Sequence, residues 1–155
     1  MTSSTDAAAA APTPPTATSD ELLKALVLQG HRLHSAVSAV GAAHQLTADE
    51  WLILDALHSH DGLTMSEISA LTPPSGASLT RAVDRLVTRS LVYRTPSLTD
   101  RRKVDVRISD LGRDLHGVVT ADLADLTAEL DAAMAEEALD PVAFAAVLNR
   151  LPGLA

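Results

Sequence analysis

Cysteine is absent from this 155-residue chain, and aromatic residues nearly so: Trp51, Tyr93 and Phe144 are the whole complement. Without cysteine there are no disulfides, thiolate zinc sites, thiol nucleophiles or cysteine-based peroxide sensing. Three aromatics cannot furnish the row of stacking platforms that a single-strand nucleic-acid binder uses. No apolar run approaches the ~18 residues that span a bilayer. No Lys or Arg precedes Lys24, so the start lacks the charged region of a secretory signal, and a cytoplasmic location is expected. Gly-rich phosphate loops, an HExxH pair and nucleophile–base pairings are missing too, which argues against an enzyme and calls for no cofactor.

Apolar residues make up 46% of the sequence, enough for one sizeable core, although 27 positions are alanine. The net charge is −8, which at first discourages a polyanionic partner. Its distribution reverses that impression. Between Arg81 and Arg107 eight basic side chains face three acidic ones, a local balance of +5, while the remaining residues carry −13. A cationic window inside an acidic body is the footprint of a protein aimed at nucleic acid; the bland reading is a solvated helix surface.

Residues 1–18 read as a disordered tail, rich in Ser, Thr and Ala, with Pro12, Pro14 and Pro15 blocking a helix. Three capping boxes then announce helices: Thr18 with Glu21, Thr47 with Glu50, and Thr64 with Glu67. The first helix carries an apolar stripe from Leu22 to Val40 and runs to about Gly41; the second carries Trp51, Leu54 and Leu57; the third is short and ends at Leu71, before Pro73-Pro74. Ser75 is the expected cap of a fourth helix reaching about Ser90. Its apolar face is Leu79, Val83, Leu86 and Val87; the opposite stripe is Ser78, Arg81, Arg85 and Arg89. Like charges four apart repel by about 0.2–0.5 kcal/mol per pair, so a helix keeping them is suited to meet an anion, with Asp84 relieving part of the repulsion.

Leu91 to Arg94 and the alternating run Val104 to Ile108 flank a polar loop and read as a β-hairpin with a basic tip, Asp100-Arg101-Arg102-Lys103. Ser109 opens a long helix through Met134, and Asp140-Pro141 opens a last one. A short helix, a cationic helix and a basic hairpin in that order predict a winged helix-turn-helix, mainly α with a small β wing. The cationic helix is then expected in a major groove and the hairpin tip in the flanking minor groove, favouring A·T-rich sequence.

The runs Leu46-Thr47 to Leu54, Thr80-Arg81-Ala82-Val83-Asp84-Arg85-Leu86-Val87, Asp100-Arg101-Arg102 and Gly112-Arg113 resemble the MarR family of bacterial transcriptional regulators over about residues 20 to 152. The resemblance implies a homodimer that represses a promoter until a small ligand releases it. It implies a dimerisation region over 19–45 and 110–155 and a DNA-binding domain over 46–109. Ser75, Ser78, Thr80 and Arg81 become expected groove or phosphate contacts, Arg102 the minor-groove residue, and Asp100 the partner of a nearby arginine that shapes the wing. Arg85, Arg89, Arg94, Arg101 and Lys103 complete the expected DNA-binding set, with an Asp84–Arg85 ion pair as the alternative for that pair. The turn Pro73 to Ala77 is similar to the branch that answers urate and phenolic compounds. That branch places its ligand tryptophan near the first helix, whereas the tryptophan here is Trp51 in the second.

A pocket lined by His31, His34, Trp51, His58, Arg113 and His116 is expected from the family geometry, suited to an acidic, carboxylate or aromatic effector. His31 and His34, three apart on one helix, and His58 with His60 also raise a zinc-responsive reading. The bland alternative makes these histidines interface or pocket-wall residues, and no metal site is assigned. A dimeric adaptor that contacts protein instead of DNA is the remaining class. Salt-dependent binding to random duplex DNA discriminates it. The expected partners are thus a double-stranded operator, a second copy and a small effector, with no membrane.

Overall fold

The computed structural model describes residues 18–97 and 102–151. The expected tail therefore lies, but for Thr18, outside the described residues, as do Asp100 and Arg101. The elements are α1 (Ser19–Ala42), α2 (Ala48–His58), β1 (Leu63–Thr64), α3 (Met65–Leu71), α4 (Gly76–Thr88), β2 (Val92–Pro96), β3 (Val104–Ile108), α5 (Asp110–Asp122), α6 (Ala124–Glu136) and α7 (Pro141–Leu148). Two compact units divide the chain, with the boundary between Leu33 and His34.

Local chemistry starts most of these helices. All three capping boxes form, each threonine hydroxyl accepting from the glutamate's amide while the carboxylate accepts from the threonine's amide. Ser109 accepts from Gly112 N at 3.0 Å, and Asp140 accepts from Val142 N at 3.0 Å ahead of Pro141. Ser75 behaves otherwise: it sits at the N-cap of α4, but its side chain makes no cap hydrogen bond.

α1, α4 and α6 each close in a Schellman turn, with Leu46 N donating to Gly41 O, Leu91 N to Leu86 O, and Leu139 N to Met134 O. The left-handed residues there are Gln45 (φ 57°), Ser90 (φ 57°) and Ala138 (φ 53°), none of them glycine. Each costs on the order of 1 kcal/mol of backbone strain, so tertiary contacts must hold them.

The core lies in the second unit. Ile53, Leu54 and Leu57 of α2, Ile68 of α3, Leu79, Val83 and Leu86 of α4, Val92 and Val106 of the sheet, and Val119 of α5 are fully or almost fully buried. The expected two-stranded hairpin is a three-stranded antiparallel sheet in the order β1-β3-β2. Leu63 and Thr64 pair with Val106 and Asp105, so the residues that open α3 also brace the wing. Two residues carry no periodicity, which is why the sequence did not announce this strand. The expected single helix from Ser109 to Met134 is broken at Leu123 (φ −86°, ψ 0°), whose carbonyl accepts from the Thr127 hydroxyl at 2.9 Å. Thr back-bonding of this kind bends a helix without interrupting its apolar spacing.

Gly112, in the first turn of α5, is where that helix crosses the strand leading into β2. A Cβ there would fall on the Leu91 carbonyl oxygen and within 2.8 Å of Ile108 Cγ1. Only a residue without a side chain allows this approach.

Candidate nucleic-acid interface

Helix α4 presents Ser75, Ser78, Arg81 and Arg85 on exposed positions, while Leu79, Ala82, Val83 and Leu86 are buried. A groove of about 460 Å³ runs between it and α3, lined by Met65, Ser66, Ser69, Gly76, Leu79 and Thr80. The Thr80 hydroxyl is turned onto its own helix, donating to Gly76 O at 3.1 Å. Arg81 makes no hydrogen bond or ion pair among the described residues.

The other arginines of the stripe, unlike Arg81, make hydrogen bonds within the protein. Arg85 Nε donates to Glu50 Oε1 at 2.6 Å, and Glu50 is almost wholly buried in α2. Arg89 donates from Nη1 to Gln45 O at 2.6 Å and from Nη2 to His44 O at 3.0 Å. Asp84 accepts from Arg94 at 2.8 Å, joining α4 to β2, instead of pairing with Arg85. Adjacent residues on a helix do not face each other, so Asp84 and Arg85 reach different elements. The Asp84–Arg94 pair is exposed on both sides and contributes no more than about 1 kcal/mol.

The wing begins and ends on the register Val92↔Ile108 to Pro96↔Val104. Arg102 and Lys103 are exposed just before β3. At its base Arg107 pairs with Asp61, beside a cavity of about 260 Å³ that Thr64, Glu67, Ser97, Lys103 and Asp105 also line. Gly62 has φ +90°, and the Arg107 guanidinium lies 3.1 Å from where its Cβ would stand. Arg107 thus orients the wing, a role the residue reading missed; its place between buried Val106 and Ile108 was the available signal. The Glu67 carboxyl is held below its ordinary value, first by the Thr64 amide, then by the Thr64 hydroxyl, with Lys103 and His60 adding smaller attractions against weak desolvation.

Trp51, His58 and His116 come together: His116 stacks on His58 with ring centroids 4.6 Å apart and on Trp51 at 6.4 Å, and its Nε2 lies 3.0 Å from Asp55 Oδ1. Trp51 Nε1 is buried without a hydrogen-bond partner among the described residues. Arg113 is exposed on the turn of α5 before His116, and His34 is exposed in the second half of α1. His31 is an exposed residue of the first unit. Among the described residues no group of three or more His, Asp or Glu side chains is placed to hold a metal ion.

The model of the MarR family matches residues 44–103, the span from the end of α1 to the wing. Over those residues the chain is similar to the MarR family. Among the similar proteins, the HTH-type transcriptional regulator TtmR of Methylorubrum extorquens is 29% identical over 103 residues, covering 66% of this chain and 53% of its own length. The HTH-type transcriptional repressor NicR of Pseudomonas putida is 32% identical over 91 residues, 58% of each chain. The chain therefore spans little more than half the length of the curated relatives it matches. A mutant MarR of E. coli, solved in complex with operator DNA, shares the fold at TM-score 0.67 and 23% identity, over 84% of this chain and 94% of that one. Among the described residues no helix is long and apolar enough to cross a membrane.

Proposed function

We propose that the chain is a homodimeric, ligand-responsive transcriptional regulator, a repressor in the simplest case, that binds a pseudo-palindromic duplex operator. The observation that carries this is Arg81: an exposed guanidinium without a partner among the described residues, on the helix that borders the α3–α4 groove. Arg102 and Lys103 add charge at the wing. Dimerisation is supported by exposed apolar side chains on the terminal helices, including Leu22, Leu23, Val27 and Leu28 of α1 and Val142, Val147 and Leu148 of α7. A two-fold dimer reads half-sites ~10 bp apart. The effector is a small acid whose acceptor atoms suit Trp51 Nε1 and the neighbouring imidazoles.

Binding to duplex DNA measured across salt concentrations tests the reading. Arg81→Ala and Arg102→Ala are each expected to weaken binding and to lower the log–log salt slope by about one. An unchanged slope in both variants would remove the winged docking. Sedimentation of a monomer at micromolar concentration would remove the two-site operator.

A further inference from the structure

Three helix C-termini meet at one turn of the second unit. The first is the Schellman turn of α1, residues Gly41 to Leu46, whose His44 and Gln45 carbonyls point out of the helix end. The second is the Schellman turn of α4, whose C-cap residue is Arg89. Its guanidinium donates to both of those carbonyls, at 3.0 and 2.6 Å. A cation at the carbonyl end of a helix is favoured by the helix dipole, and a planar guanidinium can hold two carbonyls at once. The third is α5, whose final residue Asp122 accepts from or pairs with His44 Nε2 at 2.7 Å. Leu123, where the α5–α6 axis breaks, follows directly. One residue, His44, thus holds α5 with its ring and α4 with its carbonyl.

Both turns are strained in the same way. Gln45 and Ser90 are left-handed without being glycine, so neither turn is selected by its own residues alone. The Arg89 clamp is the contact that ties one to the other. We infer that Arg89 is a positioning residue that, through His44 and Asp122, makes the C-terminal end of the recognition helix follow the end of α5. Movement at the α5–α6 break is then passed to α4 without any contact between Arg89 and DNA. This deepens the regulator reading and rests on it for its biological use, but the coupling itself is a property of the folded protein.

Amide hydrogen exchange at Ser90 and Leu91, whose N–H groups close the α4 turn, reports the coupling directly. Arg89→Ala and Asp122→Ala are each expected to speed exchange at those two amides by about tenfold, and the double variant no more than the stronger single one. Asp122→Ala is the decisive variant, since it lies far along the chain from α4 and also serves if Arg89→Ala does not fold. Unchanged protection of Leu91 in Asp122→Ala, or additive effects in the double variant, would overturn the relay. On duplex DNA, Arg89→Ala is expected to lose about tenfold in affinity with an unaltered salt slope, and Arg89→Lys not to recover it, because an ammonium does not span both carbonyls. A slope lowered by about one would make Arg89 a phosphate contact and refute the inference. Absence of duplex binding by the unaltered protein would count against the regulator reading alone, with the exchange result standing separately.

Discussion

Glu50 is the perturbation that tests the charge assignments most sharply. Its carboxylate does two things from a side chain only 5% exposed: Oε2 accepts from the Thr47 amide at 3.0 Å, and Oε1 accepts from Arg85 Nε at 2.6 Å. Losing the cap costs about 1 kcal/mol. Losing a hydrogen bond between charged groups costs about 1.5–3 kcal/mol, toward the lower end here because the Arg85 side chain is 55% exposed and water can replace its partner. Glu50→Ala is therefore expected to destabilise the protein by about 2–4 kcal/mol, a fall in Tm of roughly 5–15 °C for a chain of this size. Arg85→Ala leaves the buried carboxylate with an unanswered oxygen and is expected to cost about 2 kcal/mol. Once Glu50 is gone, however, removing Arg85 as well should cost less than about 0.5 kcal/mol. Urea unfolding of the four proteins measures this cycle. Additive single effects would refute the pair as a structural clamp, and so would an Arg85→Ala protein of full stability whose DNA salt slope falls by about one.

Gly112→Ala is expected to destabilise by roughly 3 kcal/mol, since the new methyl group meets the Leu91 carbonyl and must part α5 from the strand. Gly117→Ala, five residues on with nothing within 4 Å of the added carbon, should instead stabilise by about 0.5–1 kcal/mol in the same thermal melts, and equal outcomes would refute the contact. The lowered Glu67 pKa sets a direction with pH: its contribution is complete above the ordinary carboxylate value of 4.5 and is lost as pH falls through the lower folded value. Glu67→Gln should accordingly flatten the acid limb of a stability–pH curve and leave the neutral region's slope alone; an unchanged acid limb would contradict the assigned cap.

What the sequence determined by itself was everything governed by neighbours three or four residues apart. The Thr–Glu boxes at 18, 47 and 64, the Ser109 and Asp140 caps, and the apolar faces of α2 and α4 are local, and they stand in the structure as read. The resemblance carried by the Thr80 to Val87 run and by Asp100-Arg101-Arg102 was legible for the same reason, as short motifs at a fixed distance. Partners distant in the chain were decided only by tertiary structure. Arg85 and Arg89 look equivalent to Arg81 on a helical wheel, yet Glu50 lies 35 residues away and Gln45 44 residues away, and no periodicity points to either. The strand β1 exists because β3 offers it a free edge, not because two residues prefer it. His116 meets His58 and Asp55 across α2 and α5 because burying Val119, Leu54 and Leu57 brings those helices together. A helix face can be read from spacing alone, but a cation's partner is fixed only when packing has chosen which faces touch.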